Sequence, residues 1–280
     1  MKLITWNIQW CRGCDGRVDP HRIVQCAKDI ADFDVLCLQE VAANFPELEG
    51  SQGDNQFEIL SALLPDYEAI PGVAVDIAPR QNHKRQVFGN LLFSRWPVLR
   101  VLRHTLPWPA DALHTGMPRM LIEATIATPR GNLRVMTTHL EYHSSMQRAA
   151  QVEAILTLHA QSAARHFVVE EKEGPFRAIA QPVSAILTAD FNFRPEDALW
   201  ERVQQPVALQ APAFRDAWKY LYPDQPHPPT IGIHDCRQWP TPYACDFIFV
   251  TEDLLPRVRK VTIDAHTDAS DHQPVLIELE

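Results

Sequence analysis

No apolar run in this chain approaches the ~18 residues of a membrane span, so nothing in it is built to cross a bilayer as a helix. A secretory start is missing too: Met1-Lys2-Leu3-Ile4-Thr5-Trp6 is too short and too soon interrupted by polar residues. The compartment expected from these two absences is the cytoplasm. Positive charge is in deficit, with 26 Lys plus Arg against 35 Asp plus Glu and a formal net charge of -9. Long-range attraction to a polyanion would have the wrong sign, so strong sequence-independent binding of long duplex DNA is not expected. Repeats, low-complexity tracts and linkers are also missing. With 46% hydrophobic and 22% charged residues, the chain has the balance of a folded protein with ample core. One monomeric domain over residues 1–280, of α/β (α+β) class, is the expectation.

The six cysteines follow no secreted-scaffold pattern. Cys26, Cys37 and Cys245 lie in or beside apolar periodic stretches and read as core. Cys11-x-x-Cys14 has the spacing of a zinc half-site, but no second such pair or His pair completes it, and only Cys236 is a spare ligand. Two loop thiols are the simpler reading.

What the chain does have is a series of apolar strands, each ending in a polar side chain that can do chemistry. Val183 to Thr188 is β-branched and continuously apolar, the signature of a strand buried on both faces, and it delivers Asp190 and Asn192. Leu3–Trp6 delivers Asn7, Asp34–Gln39 delivers Glu40, and the hairpin Met120–Thr128/Leu133–Thr138 delivers His139. Asp246 opens the strand Phe247–Val250, and Ser270-Asp271-His272 leads into Pro274–Leu279. If the last two strands run antiparallel to the others, all these groups arrive at one edge. Turn chemistry explains Asp or Asn after a strand; it does not predict repeated Glu and His. Dispersed oxygen donors suit Mg²⁺ or Mn²⁺ completed by substrate phosphate, and two histidines beside acids suit proton transfer or charge stabilisation. Metal-assisted phosphoester hydrolysis fits this inventory.

Helices are expected at about His21–Ala31 behind Pro20, with Asp19 as cap, and at Asn55–Leu64, Ser145–Arg165 and Ala198–Val203. Strands are further expected at Tyr67–Pro71, Val87–Ser94 with Gly89-Asn90 inside, Pro97–Leu106 and Val258–Ile263. The proline-rich stretch Gln204 to Tyr243, with Trp218 and Trp239, reads as a long loop serving the site or its rim.

In order, Thr5-Trp6-Asn7, Leu38-Gln39-Glu40, Gly89-Asn90, Thr138-His139-Leu140, Asp190-Phe191-Asn192, Asp246-Phe247-Ile248 and Ser270-Asp271-His272 resemble the endonuclease/exonuclease/phosphatase superfamily over nearly the whole chain. The resemblance implies a four-layer α/β/β/α sandwich of two mixed, mostly antiparallel sheets with outer helices. It implies Glu40 as principal metal ligand, Asn7 as its holder or a member of the metal shell, and Asp271 as a further ligand or a group behind one. Asp190 would activate or position the attacking water, and Asn192 would donate to the phosphoryl oxygen. His272, oriented by Asp246, would be general base or charge stabiliser, while His139 would contact the phosphate. Asn90 would support that histidine or the phosphate, and Arg119 would bind substrate or form a surface salt bridge. Independently of the resemblance, Trp218 or Trp239 would stand at the rim and stack on a ring of the substrate. Where the family has Gly-Asp-Phe-Asn, this chain has Ala189-Asp190-Phe191-Asn192. The resemblance leaves the substrate open among compact phosphoesters, lipid headgroups and nucleic acid. A compact substrate is preferred on the acidic charge. A nuclease using Arg80, His83, Lys84 and Arg85 for phosphate contacts is the alternative, and a catalytically inactive scaffold is set aside because the residue set is intact.

Overall fold

The computed structural model describes residues 1–79, 84–167, 173–177, 179, 181–208 and 211–280. In chain order the elements are β1 (Lys2–Asn7), α1 (Pro20–Ile30), β2 (Val35–Ala43), α2 (Gln56–Leu63), β3 (Glu68–Ile77), β4 (Gln86–Ser94) and β5 (Val98–Thr105). They continue as β6 (Met120–Thr128), β7 (Gly131–His139), α3 (Ser145–Ala164), β8 (Ala185–Asp190), α4 (Ala198–Val203), β9 (Phe214–Asp216) and α5 (Ala217–Leu221). The last three are β10 (Asp246–Thr251), β11 (Val258–Ile263) and β12 (Val275–Leu279).

Two six-stranded sheets form, ordered β11-β12-β1-β2-β4-β3 and β5-β6-β7-β8-β10-β9. Only β1/β2 and β7/β8 pair in parallel; the other neighbours are antiparallel. Strand alternation explains the layering. Leu3, Val35 and Cys37 of the first sheet meet Val135, Ile186 and Ile248 of the second in the central core. Their neighbours Ile4, Leu36 and Leu38 face the opposite way, with Ile23, Val24 and Ala27 of α1 and Leu60 of α2. Met136, Leu187, Phe247 and Phe249 likewise pack with Val152, Ile155 and Leu156 of α3. Helix, sheet, sheet, helix is the four-layer sandwich expected. Because both faces of the central strands are covered, they read as unbroken apolar runs rather than alternating ones.

Local chemistry sets the ends. The Asp19 carboxylate accepts from the His21 and Arg22 amides, and Pro20 occupies the first turn of α1, an arrangement worth about 1 kcal/mol. Gly89 lies so close to β3 that a Cβ there would stand 2.1 Å from the Gly72 carbonyl oxygen. Pro71 is tolerated because β3 is an edge strand.

Three expectations need correction. The second strand does not stop before Glu40: β2 runs on to Ala43, and the pairing with β4 slips between Leu38 and Val41. Glu40 sits in that bulge at φ 61°, which turns its side chain out of the strand's alternation. The strand begun near Tyr67 continues to Ile77. The stretch from Gln204 to Tyr243 is not one loop, since it contains β9 and α5. Of the basic run, Arg80 and His83 lie outside the described residues, and Arg85 donates to the Asp76 carboxylate at 2.5 Å.

Cys11 is fully buried, while Cys14 donates to the Ser270 carbonyl oxygen at 3.4 Å. Burial pushes both thiols up, Cys14 to about 11, which opposes the thiolate form a metal needs. Cys11→Ala with Cys14→Ser is therefore expected to cost about 1–3 kcal/mol of stability and leave phosphoester cleavage within about twofold. Stoichiometric zinc in the purified protein, lost in that variant, would reject this reading.

Candidate active site

Strand pairing brings the site together. Asp190 at the end of β8 stands opposite His139 of β7 on one side and Asp246 of β10 on the other. On the facing sheet, β1 ends at Asn7 beside β2, whose bulge carries Glu40. The antiparallel course of β10 and β12 relative to β8 and β1 places Asp246 and the Ser270–His272 segment at this same edge. Glu40, Asn7, His139, Asp190, Asn192, Asp246, Asp271 and His272, scattered over the chain, thus share one cleft between the sheets.

The Asn7 amide bridges the two sheets, donating to Glu40 Oε1 at 3.1 Å and to Asp190 Oδ2 at 3.0 Å. His272 Nδ1 lies 2.9 Å from Asp246 Oδ2, and its Nε2 is 3.6 Å from Asp190 Oδ2. His139 Nε2 approaches the same Asp190 oxygen to 3.3 Å. Asp271 Oδ2 accepts from Gln9 Nε2 at 2.9 Å and Trp239 Nε1 at 3.1 Å.

These distances set the charges. Burial, reinforced by Asp271 and Asp190, pushes Glu40 up to about 7. Asp190 is raised to about 6, chiefly by burial and against the pull of His272. Burial pulls His272 down, but the carboxylates of Asp246 and Asp190 outweigh it and hold the imidazolium well above its ordinary range. Burial, Arg119 and His272 together keep His139 neutral. One histidine charged and one neutral around a shared carboxylate is a division of labour the sequence could not reveal.

Several assigned roles shift. Asn192 donates from Nδ2 both to the Leu140 carbonyl oxygen at 2.9 Å and to His139 Nε2 at 3.0 Å, so it orients His139 instead of presenting free amide hydrogens to the cleft. The Asn90 amide donates to the Met120 carbonyl oxygen at 2.9 Å, tying the sheets together beneath the site. Arg119 forms no surface salt bridge: it is buried 3.4 Å from Glu141, and its Nη1 has no hydrogen-bond partner among the described residues. Trp218 does not reach the cleft. Its ring packs on Tyr222, His227 and the central core, and the rim tryptophan is Trp239.

Thr230 was missed. Its hydroxyl donates to Asp246 Oδ2 at 2.6 Å and accepts from the Cys245 and Asp246 amides, fixing the carboxylate that holds His272. A threonine within a proline-rich stretch carries no signal of this. Gln9 was missed too; it sits in a left-handed turn with φ of 42°, 44° and 61° at Gln9, Trp10 and Cys11. Such strain collects at functional sites, but φ is not legible in composition.

Two donor sets around this edge have the chemistry of a cation site. Asp190, Cys245, Asp246 and His272 have potential ligand atoms within 4.8 Å of one another. There, however, burial keeps the Cys245 thiol protonated, and Asp246 Oδ2 already receives Thr230 and His272. Glu40, with Asp190 and Asp271 close enough to raise its pKa, offers hard oxygens and like-charge repulsion that a divalent cation relieves. The oxygen set fits the implied ion better.

A model of the Endonuclease/Exonuclease/phosphatase family matches residues 4–272. The chain belongs to this family. It is a hydrolase of phosphoester bonds, as the family's divalent-metal-dependent enzymes are. Solved structures share the fold over 100% of this chain. One is a Bacteroides vulgatus endonuclease/exonuclease/phosphatase (21% identity, TM-score 0.67, 98% of that chain). Another is the Bacteroides thetaiotaomicron mannosyl-6-phosphatase Bt3783 (17%, TM-score 0.68, 99%). A third is D. rerio TDP2 complexed with a single-strand DNA product (18%, TM-score 0.65, 98%). No curated protein matches by sequence. Among the described residues no helix is long and apolar enough to cross a membrane.

Proposed function

We propose that this family member uses Mg²⁺ or Mn²⁺ to hydrolyse a compact phosphoester, with Asp190 accepting the proton of the attacking water. The observation that carries the reading is the line Asp246–His272–Asp190, with Nδ1 2.9 Å from one carboxylate and Nε2 3.6 Å from the other. It holds a charged imidazole beside the carboxylate that receives the proton, where negative charge grows at the phosphorus oxygens. Glu40, with Asn7 behind it and Asp271 nearby, would hold the metal, which when bound supplies Lewis-acid polarisation of the phosphoryl oxygen. Arg119, whose buried Nη1 has no partner among the described residues, would receive an anionic oxygen. Neutral His139, whose Nε2 accepts from Asn192, would donate from Nδ1 to a phosphate oxygen. The net charge of -9 favours a compact substrate over a long nucleic acid.

The test is a phosphoester panel with Mg²⁺, Mn²⁺ or excess chelator, spanning bis-p-nitrophenyl phosphate, sugar phosphates, phospholipids, single-stranded oligonucleotides and supercoiled plasmid. Cleavage of a small ester that stops with chelator is expected. Activity surviving chelation would sink the metal-assisted reading, and preferential nicking of plasmid would replace the compact substrate with nucleic acid.

A thermodynamic check needs no turnover. Since the folded protein raises Glu40 from an ordinary 4.5 to about 7, its share of stability is present below pH 4.5 and lost as pH rises through 7. A divalent cation binds the ionised form and competes with that proton. Mg²⁺ at a hundredfold excess over its Kd stabilises by about 2.7 kcal/mol, a rise in Tm of about 4–5 °C for a protein this size. That rise is expected at pH 8 and should shrink markedly at pH 5.5 in the same Mg²⁺. An equal rise at both, or one retained by Glu40→Gln, would place the cation elsewhere.

A further inference from the structure

Beside Asn192 the catalytic edge opens into a cleft of about 630 Å³, whose walls include Tyr142, His143, Arg148, Arg194 and Tyr243. None of these has a part in the chemistry described above. Arg194 lays its guanidinium over the Tyr243 ring, 4.3 Å from the centroid, and among the described residues it pairs with no carboxylate. Stacking of this kind fixes the plane of the fork while leaving its N–H groups free at the edge. Arg148 is anchored by donating Nη1 to the Glu141 and Tyr142 carbonyl oxygens, 2.7 and 2.8 Å away, and its buried Nε has no partner among the described residues. Two carboxylates also line the cleft: Asp197 caps α4 by accepting from the Leu199 amide, and Glu196 forms no ion pair with either arginine among the described residues.

In a chain with nine more acidic than basic side chains, cations are normally consumed by carboxylates. Here two arginines held by rings and carbonyls flank one cleft, a step away from the reacting centre. Holding an arginine without neutralising it is what an anion receptor requires.

We propose that this cleft is a second anion subsite that binds a further phosphate of the same substrate, so that the enzyme selects esters carrying two phosphate groups over those carrying one. Arg194, aligned by Tyr243, is the specificity-determining residue, and Arg148, which lines the same cleft, supports it. The inference rests on the phosphoester reading for what occupies the neighbouring centre. The second phosphate belongs either to a compact bisphosphate or to the adjacent linkage of a short strand. The chemistry is common to both, and the net acidity favours the first.

The test is binding rather than turnover, so it stands apart from the hydrolase reading. Isothermal titration of the full chain carrying Asp190→Asn, in Mg²⁺, would compare phenyl phosphate, ribose 1,5-bisphosphate and the dinucleotide pTpT. The two-phosphate ligands are expected to bind about tenfold tighter than phenyl phosphate, a difference of about 1.4 kcal/mol. Adding Arg194→Ala should erase that preference and leave phenyl phosphate unchanged, Arg194→Lys should keep part of it, and Arg259→Ala, beside the β11 residue that pairs with Leu279 and so at the end of the sheet away from the catalytic edge, should keep all of it. Whichever two-phosphate ligand binds tighter identifies the source. Equal affinities for one and two phosphates, or a preference surviving Arg194→Ala, would overturn the proposal. A preference that depends on Arg194 in a wild-type protein with no hydrolysis in the panel would instead overturn the hydrolase mechanism and leave the subsite standing.

Discussion

Asp190→Asn is expected to lower kcat about 10³-fold while leaving the protein as stable as before or more so. A positioned proton acceptor contributes typically 10²–10⁴ in rate, and an amide cannot take the proton from water. Stability moves the other way. In the folded protein Asp190 is raised from an ordinary 3.8 to about 6, chiefly by burial. Its contribution to stability is therefore intact below pH 3.8 and lost as pH climbs through 6, where the buried group must ionise. Asn never ionises; its single oxygen keeps the hydrogen bond from the Asn192 amide and loses the one from Asn7, so Tm relative to wild type should be higher at pH 8 than at pH 4. Loss of activity with gain of stability is what a site strained for function shows. Turnover of bis-p-nitrophenyl phosphate and melting curves at the two pH values would check both halves. A variant keeping more than a tenth of wild-type kcat would remove Asp190 from the proton-accepting role.

Asp246 and His272 should fail as one unit. The 2.9 Å contact from Asp246 Oδ2 to Nδ1 keeps the ring charged and turned toward Asp190. Asp246→Asn or His272→Ala alone is expected to cost about 10²–10⁴-fold in kcat, and the double variant about the same as the worse single one, since residues acting together are strongly non-additive. The pH profile carries a second signature. His272 is held well above 6.5 by Asp246 and Asp190, so a mechanism needing the imidazolium loses rate only as pH rises past that raised value. Asp246→Asn withdraws the larger source of the elevation, and the alkaline limb should move down toward neutrality. Thr230→Val, which removes the 2.6 Å donor to Asp246, should shift the limb in the opposite direction, because the carboxylate loses a competing hydrogen bond. Additive losses, or an alkaline limb unmoved in Asp246→Asn, would separate the two residues.

The sequence by itself determined the strands and their polar ends. Buried strands such as Ile186–Leu187 and Phe247–Phe249 must be apolar on both faces, so the points where Asp190, His139 or Asp246 interrupt them stand out, and the ordered motifs pointed to the family and its sandwich. Helix α1 was equally legible, because Asp19 and Pro20 act on the amides immediately after them. The tertiary structure alone decided how those ends serve one another. That Glu40 projects from a bulge depends on a register slip against β4, a property of two strands distant in sequence. That Asn192 turns its amide to His139, and that Trp239 rather than Trp218 reaches Asp271, depends on where chains cross in space. The contrast between a charged His272 and a neutral His139 was the least legible of all: both are buried histidines beside acids, and only the sum of burial against the fields of Asp246, Asp190 and Arg119 separates them. Local patterns report propensity and burial over a few residues, whereas protonation and orientation come from groups brought together across the whole chain.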